Sequence, residues 1–193
     1  SKQWRGKVAF RDVPMRPGER FNDGTCAPDG TFYGGTMAAD GTGRLLRLHP
    51  GGRVDTVLTG LTVSNGIAAT PDGTRMLFVD TVTHRVDVFD LDEDGLHDRR
   101  VHIDLGDAAG GPDGIAVDAH GGVWVAMWRG RCVRGFDAAG SPVAVIDVPT
   151  IQPSACAFVG SALDRLAITT SAQDLESGSD ALAGALFLAA PGV

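Results

Sequence analysis

Asn65 and Asp113 each stand immediately before a glycine and eight residues before a second, turn-forming glycine, Gly73 and Gly121. Ser154 falls at the same place in a fourth segment of the same kind, and either Asn22 or Asp23 occupies it in a first. Amide, carboxylate and hydroxyl oxygens brought to one point, without sulfur or imidazole, suit a hard divalent cation such as Ca2+ or Mg2+ and tolerate Mn2+ or Zn2+. An isolated Asn-Gly or Asp-Gly is most often a turn dipeptide, so register has to separate site from turn. Pro-Asp-Gly occurs at 28–30, 71–73 and 112–114. The first two lie between the strands of a hairpin; the third lies at the opening position that Asn65 also holds.

Other chemistries lack their signatures. The sequence contains no G-x-S-x-G elbow, no H-E-x-x-H and no Walker or Rossmann glycine pattern. Its five histidines (His49, His84, His97, His102, His120) are scattered in or beside predicted turns and outer strands. The acidic run DLDEDG that starts at Asp90 lacks the spacing of a calcium loop and reads as an exposed hairpin turn. Cys156 is expected in the core rather than as a nucleophile. Trp4, Trp124 and Trp128 are expected to pack, with Trp128 placed where it can line a channel mouth.

The elements that carry these residues repeat. NDGTCAPDGTFYGGTM (22–37), NGIAATPDGTRMLFVDT (65–81), DGIAVDAHGGVWVAM (113–127) and SACAFVGSALDRLAITT (154–170) each read as two short apolar strands around a turn. A second hairpin follows each, cut short in the last to GALFLAAPGV. Two hairpins make a four-stranded unit, and the unit recurs at intervals of roughly 40 to 50 residues, counted from Asn22 to Asn65 to Asp113 to Ser154, a spacing that means β-propeller blades. The fold class expected is all-β, a propeller of four-stranded blades forming one domain over 1–193. At roughly 45 residues per blade the chain supplies about four, so N-terminal blades are expected to lie outside it. In a propeller the innermost strand of every blade starts at one mouth of the central channel, which sends Asn65, Asp113 and Ser154 to a common axis.

Composition narrows the function. The 193 residues carry 17 Lys+Arg against 24 Asp+Glu, a net charge of −7, which is the wrong sign for a nucleic-acid surface. No apolar run reaches the ~18 residues of a membrane helix, and SKQWRGKVAF has no signal-peptide core. Three cysteines (Cys26, Cys132, Cys156) without a C-x-x-C spacing are expected to be reduced core residues of a cytoplasmic protein.

RFNDGTCAPDGTFYGGTM (20–37), SNGIAATPDGTRMLFVDT (64–81) and PDGIAVDAHGGVWVAMW (112–128) resemble the regucalcin/gluconolactonase family, which includes senescence marker protein and luciferin-regenerating-enzyme-like proteins. The resemblance runs from about Arg20 to the C-terminus. It implies a six-bladed propeller with one divalent metal ion (Ca2+, Zn2+, Mg2+ or Mn2+) in the channel and hydrolysis of sugar lactones. Carried over by motif, Asn65 and Asp113 are metal ligands and Asp113 is also the general base. Arg20 and Asn22 of R-x-N-D-G contact substrate, and Asp40, after GTM, stands where the family more often has a Glu that does so. The family's first metal ligand, a Glu, precedes these motifs; Glu19 adjoins R-x-N-D-G and does not match it. The expected partner is a small sugar lactone. A metal-binding propeller without turnover, and a lactonase acting also on esters or phosphotriesters, remain open beside it.

Overall fold

The structure, a computed structural model, describes residues 13–192. Trp4 lies outside the described residues. The first blade is β1 (Arg20–Cys26), β2 (Phe32–Met37), β3 (Gly43–Leu48) and β4 (Val54–Leu61); the second is β5 (Ser64–Ala69), β6 (Arg75–Asp80), β7 (Arg85–Asp92) and β8 (Gly95–Asp104). The third is β9 (Gly111–Val117), β10 (Val123–Trp128), β11 (Cys132–Phe136) and β12 (Pro142–Asp147). The fourth has three strands, β13 (Pro153–Val159), β14 (Arg165–Thr170) and β15 (Leu186–Ala189). All four are antiparallel meanders with the first strand innermost, and β1, β5, β9 and β13 pack in succession. This is the propeller arrangement that the repeats predict.

Blade-to-blade packing explains the sequence pattern. Side chains alternate across a strand with period two, so the second strand of each blade serves two interfaces. In β6, Met76 and Phe78 join Tyr33 and Leu45 of the first blade, while Leu77 and Val79 join Val123, Val125 and Met127 of the third. In β10 the opposite face presents Trp124 and Ala126 to Cys156, Leu166 and Ile168 of the fourth blade. These middle strands are covered on both sides and therefore read as unbroken apolar runs rather than alternating ones. Outer strands face water: Val143 and Val145 of β12 are exposed.

The expected turns form where predicted. Gly30 and Gly73, the glycines of the first two Pro-Asp-Gly tripeptides, have φ of +83° and +69°, the left-handed region that a β-carbon disfavours. The acidic run at Asp90 passes into the exposed β7–β8 turn. Among the described residues there is no α-helix, only a single 3-10 turn at Thr81–Thr83, and no helix long and apolar enough to cross a membrane. One expectation fails. Cys156 is buried, but Cys132 is only partly buried and Cys26 is exposed, because the next residue, Ala27, takes the place in the core between the first and second blades.

Candidate functional site

The innermost strands surround a cavity of about 460 Å³, within the usual range for a small-molecule site. Arg20, Asn22 and Asp23 line it from the first blade, Asn65 and Thr81 from the second, Asp113 and Trp128 from the third. Ser154, Gln173 and Asp174 complete it from the fourth.

Each inner strand departs from its ladder at the same place. β1 skips pairing between Phe21 and Gly24, β5 between Ser64 and Ile67, β9 between Pro112 and Ile115, and β13 between Pro153 and Ala155. The first unpaired residue is Asn22, Asn65, Asp113 or Ser154. A β-bulge re-aims the side chain it carries and recurs beside functional sites; here four bulges aim four polar side chains at one space. The same register settles the alternative in the first repeat. Asn22 is the counterpart of Asn65, and Asp23 occupies the position of Gly66 and Gly114.

Those two glycines are needed for close approach, not for turning. A β-carbon on Gly66 would stand 2.5 Å from the Asp113 carbonyl oxygen, and one on Gly114 2.6 Å from the Ala155 β-carbon. The third Pro-Asp-Gly therefore differs physically from the other two, since its glycine lets the fourth blade's backbone come up against β9. Where the first blade has Asp23 in place of a glycine, the cavity gains a further carboxylate.

Hydrogen bonds fix the side chains. Asn22 Nδ2 donates to the Ser64 carbonyl at 3.0 Å, tying the first blade to the second, and Arg20 Nη1 donates to Asn22 Oδ1 at 3.2 Å and to the Phe21 carbonyl at 2.9 Å. Thr81 Oγ1 donates its single proton to the Pro112 carbonyl at 2.8 Å, so the Asn65 edge facing it at 3.1 Å has to be the amide Nδ2. Asn65 Oδ1 accepts no hydrogen bond from the described residues. Ser154 Oγ lies 2.9 Å from Thr169 Oγ1.

Burial pushes the Asp113 carboxyl up to about 7, the Asn65 amide opposes that rise, the Asp23 charge adds to it and the Gly114 N–H opposes it. Burial also raises Asp23, against the Gly24 N–H that donates to its Oδ1 at 2.7 Å. The cavity lining holds three carboxylates, Asp23, Asp113 and Asp174, against the single cation of Arg20, and the oxygens of Asp113 and Asn65 fit a hard divalent cation. No group of three His, Cys, Asp or Glu side chains converges on a metal-sized point among the described residues.

Asp40 is not brought to this group. It lies in the exposed β2–β3 turn, where its Oδ1 accepts from Thr42 N at 3.1 Å and Thr42 Oγ1 at 2.7 Å. Glu19 is turned away from the cavity and takes a bidentate ion pair with Arg44. Cys156, buried and pushed up to about 12 by desolvation, has the thiol of a packing residue. Trp128 does line the cavity. Thr81, Gln173 and Asp174 went unnoticed in the sequence; only Thr81, directly after the second inner hairpin, occupies a repeated position that could have exposed it.

The comparisons with known proteins agree with the fold. The chain is 39% identical over 188 residues to pentonolactonase XacC of Haloferax volcanii, covering 92% of this chain and 61% of that protein. It is 35% identical over 131 residues to L-arabinolactonase of Azospirillum brasilense, covering 66% and 43%. The crystal structure of regucalcin from Agrobacterium tumefaciens, described as a calcium-binding protein, superposes with a TM-score of 0.83 at 31% identity, over 92% of this chain and 62% of that one. The chain thus spans about three fifths of the length of the first of these relatives. Residues 5–172 match the SMP-30/gluconolactonase/LRE-like region, and the chain belongs to that family.

Proposed function

We propose that the protein is a divalent-metal-dependent hydrolase of sugar lactones, acting at the cavity between the inner strands. The observation that carries this reading is the sharing of one cavity by Asn65 and Asp113 with Arg20 and Asn22. A simple cation binder needs the first pair and has no use for the second. The lactonase relatives support it.

Asn65 and Asp113, with Ser154 beside them, would hold one divalent ion (Ca2+, Zn2+, Mg2+ or Mn2+), which when bound polarises the lactone carbonyl and stabilises the charge that develops on its oxygen. Asp113, which a bound cation would hold ionised, takes the proton from the attacking water. The water oxygen bonds to the carbonyl carbon, the ring C–O bond breaks, and the proton passes to the ring oxygen, giving the open hydroxy acid. Arg20 and Asn22 hold the sugar hydroxyls, the guanidinium as a fork of donors and the amide as donor and acceptor.

A cation-binding propeller without turnover is the second reading, favoured by the likeness to a regucalcin described as calcium-binding. pH-stat assays on a panel of pentono- and hexonolactones separate the two. Chelator-treated protein should be silent, should regain turnover with one or more of the four metals, and should not regain it as Asp113→Ala. Metal binding without turnover on any lactone would favour the binding protein. Full turnover by Asp113→Ala would overturn the assignment of the base.

A further inference from the structure

Part of the cavity wall comes from the segment between β14 and β15, which is much longer than the corresponding connections of the other three blades. It contributes Gln173 and Asp174 to the lining. An irregular segment reaching a channel from a blade edge needs anchoring, and two anchors are present. Asp180 Oδ2 accepts from Thr150 Oγ1 at 2.6 Å and from Ile151 N at 2.8 Å. Nearer the cavity, Gln152 is fully buried. Its amide nitrogen, Nε2, donates to the Ser171 carbonyl at 3.1 Å and to the Gln173 carbonyl at 2.9 Å, and its Oε1 accepts from Arg129 Nε at 3.2 Å. Both amide protons of a side chain without solvent access are thus spent on two carbonyls of this short loop.

What the loop presents is a carboxylate. Asp174 has φ of +55°, a left-handed conformation that costs a non-glycine residue energy and that persists where the surroundings impose it. Gln152 holds the carbonyl of the preceding residue, Gln173. Among the described residues no arginine or lysine pairs with Asp174, and its side chain accepts one hydrogen bond, from Gln173 Nε2 at 3.3 Å. An ionised carboxylate has two oxygens and about four acceptor sites, and a pair of neighbouring hydroxyls on a polyol is a matching donor set.

We propose that Asp174, held against the cavity by Gln152, is a substrate-binding carboxylate that accepts hydrogen bonds from vicinal hydroxyls of a polyhydroxylated lactone, with Gln152 as its positioning residue. This rests on the lactonase reading above. It places hydroxyl recognition on two blades, Arg20 and Asn22 on the first and Asp174 on the fourth.

Kinetics of Asp174→Gly, Asp174→Asn and Gln152→Met test it, using the lactone turned over fastest in the panel, with Kd for gluconolactam, a non-hydrolysable analogue, as a parallel reading. Glycine accepts the φ of +55° without strain, so Asp174→Gly should be as stable as wild type or more so. Its KM and its Kd for the lactam should rise about tenfold or more, the loss of a hydrogen bond to a charged group, with kcat within threefold. Asp174→Asn keeps one acceptor oxygen and should fall between. Gln152→Met should raise KM in the same direction, and in the double variant with Asp174→Gly should add little, because both act through one carboxylate. Wild-type turnover with KM and Kd within twofold in Asp174→Gly overturns this inference alone. Wild-type protein that neither hydrolyses any lactone nor binds the lactam overturns the lactonase reading and this inference with it.

Discussion

Glu19→Gln removes one charge at nearly constant shape, and the structure permits its effect to be worked out. Glu19 is only 7% exposed. Its Oε1 accepts from Thr36 Oγ1 at 2.7 Å and Arg44 Nε at 2.8 Å; its Oε2 accepts from Arg44 Nη2 at 2.8 Å and Arg16 N at 2.9 Å. Every contact is a donor, so the glutamine NH2 has to face donors whichever way it turns. The Arg44 hydrogen bonds outweigh burial and hold the Glu19 carboxyl at about 2, against an ordinary value of 4.5. At roughly 1.4 kcal/mol per tenfold change in proton affinity this corresponds to ~3 kcal/mol of native-state stabilisation at neutral pH. Arg44 keeps some contact with solvent, its side chain 13% exposed, and screening lowers the figure to about 2–3 kcal/mol.

Urea unfolding at pH 7 should therefore place Glu19→Gln about 2–3 kcal/mol below wild type. The pH dependence has a definite sign. Because the folded-state value is depressed, the stabilisation is fully present above pH ~4.5 and is lost as the pH falls toward ~2, so the gap should narrow below pH 4.5. A gap under ~0.5 kcal/mol at pH 7, or one that stays constant from pH 7 to 3.5, would refute the reasoning.

Three further outcomes are expected. In metal-free protein the native state keeps a proton on Asp113 that the unfolded chain loses above pH ~3.8, so stability should fall as pH rises from ~4 to ~7; Asp113→Asn should abolish that slope and be the more stable by up to about 4 kcal/mol at pH 8, measured by urea unfolding after chelation. Gly114→Ala should cost about 1–3 kcal/mol, because its β-carbon would stand 2.6 Å from the Ala155 β-carbon and 2.9 Å from the Ser154 carbonyl oxygen, and should weaken metal binding measured by calorimetry; Gly30→Ala, strained by a φ of +83° but in open space, should cost about 1 kcal/mol and leave metal binding unchanged. At pH 8 a disulfide reagent should modify exposed Cys26 rapidly in native protein and reach Cys156, whose thiol is pushed up to about 12, only on unfolding.

How much of this was legible in the sequence follows from which interactions repeat. Blade boundaries, hairpin turns and the opening register recur every blade, so Asn65 and Asp113 could be picked out from turn dipeptides of the same composition. The bulges could not, because an unpaired residue is defined by its partner strand: Asn22 and Asp23 are indistinguishable until Phe21 is seen opposite Thr36 and Gly24 opposite Gly34. Asp40 has the type and motif position of a substrate contact, yet Thr42, two residues on, offers its carboxylate a local N–H and hydroxyl that need no tertiary structure. Asp174 was invisible for the opposite reason. Its segment is far longer than the corresponding connections of the other blades and cannot be aligned with them, and its placement depends on Gln152, twenty-two residues earlier in the chain.

The two kinds of glycine show why the candidate site sits at the meeting of blades rather than within one. A turn glycine such as Gly30 or Gly73 solves a problem local to its own hairpin, and the hairpin would tolerate a modest strain there. Gly66 and Gly114 instead set how closely consecutive inner strands approach, backbone against backbone, and each lies directly after a residue that faces the cavity. The spacing between Asn65 and Asp113 is therefore inherited from the packing of the second blade on the third. Thr81 reinforces it by binding the side chain of Asn65 and the backbone just before Asp113 at once. An oxygen pair held in this way would be pre-organised for the proposed cation without any single blade supplying a complete site. Substitutions that shift the interblade core, at Leu77 or Val125 for example, should accordingly alter metal affinity, measured by calorimetry, although no cavity residue is replaced.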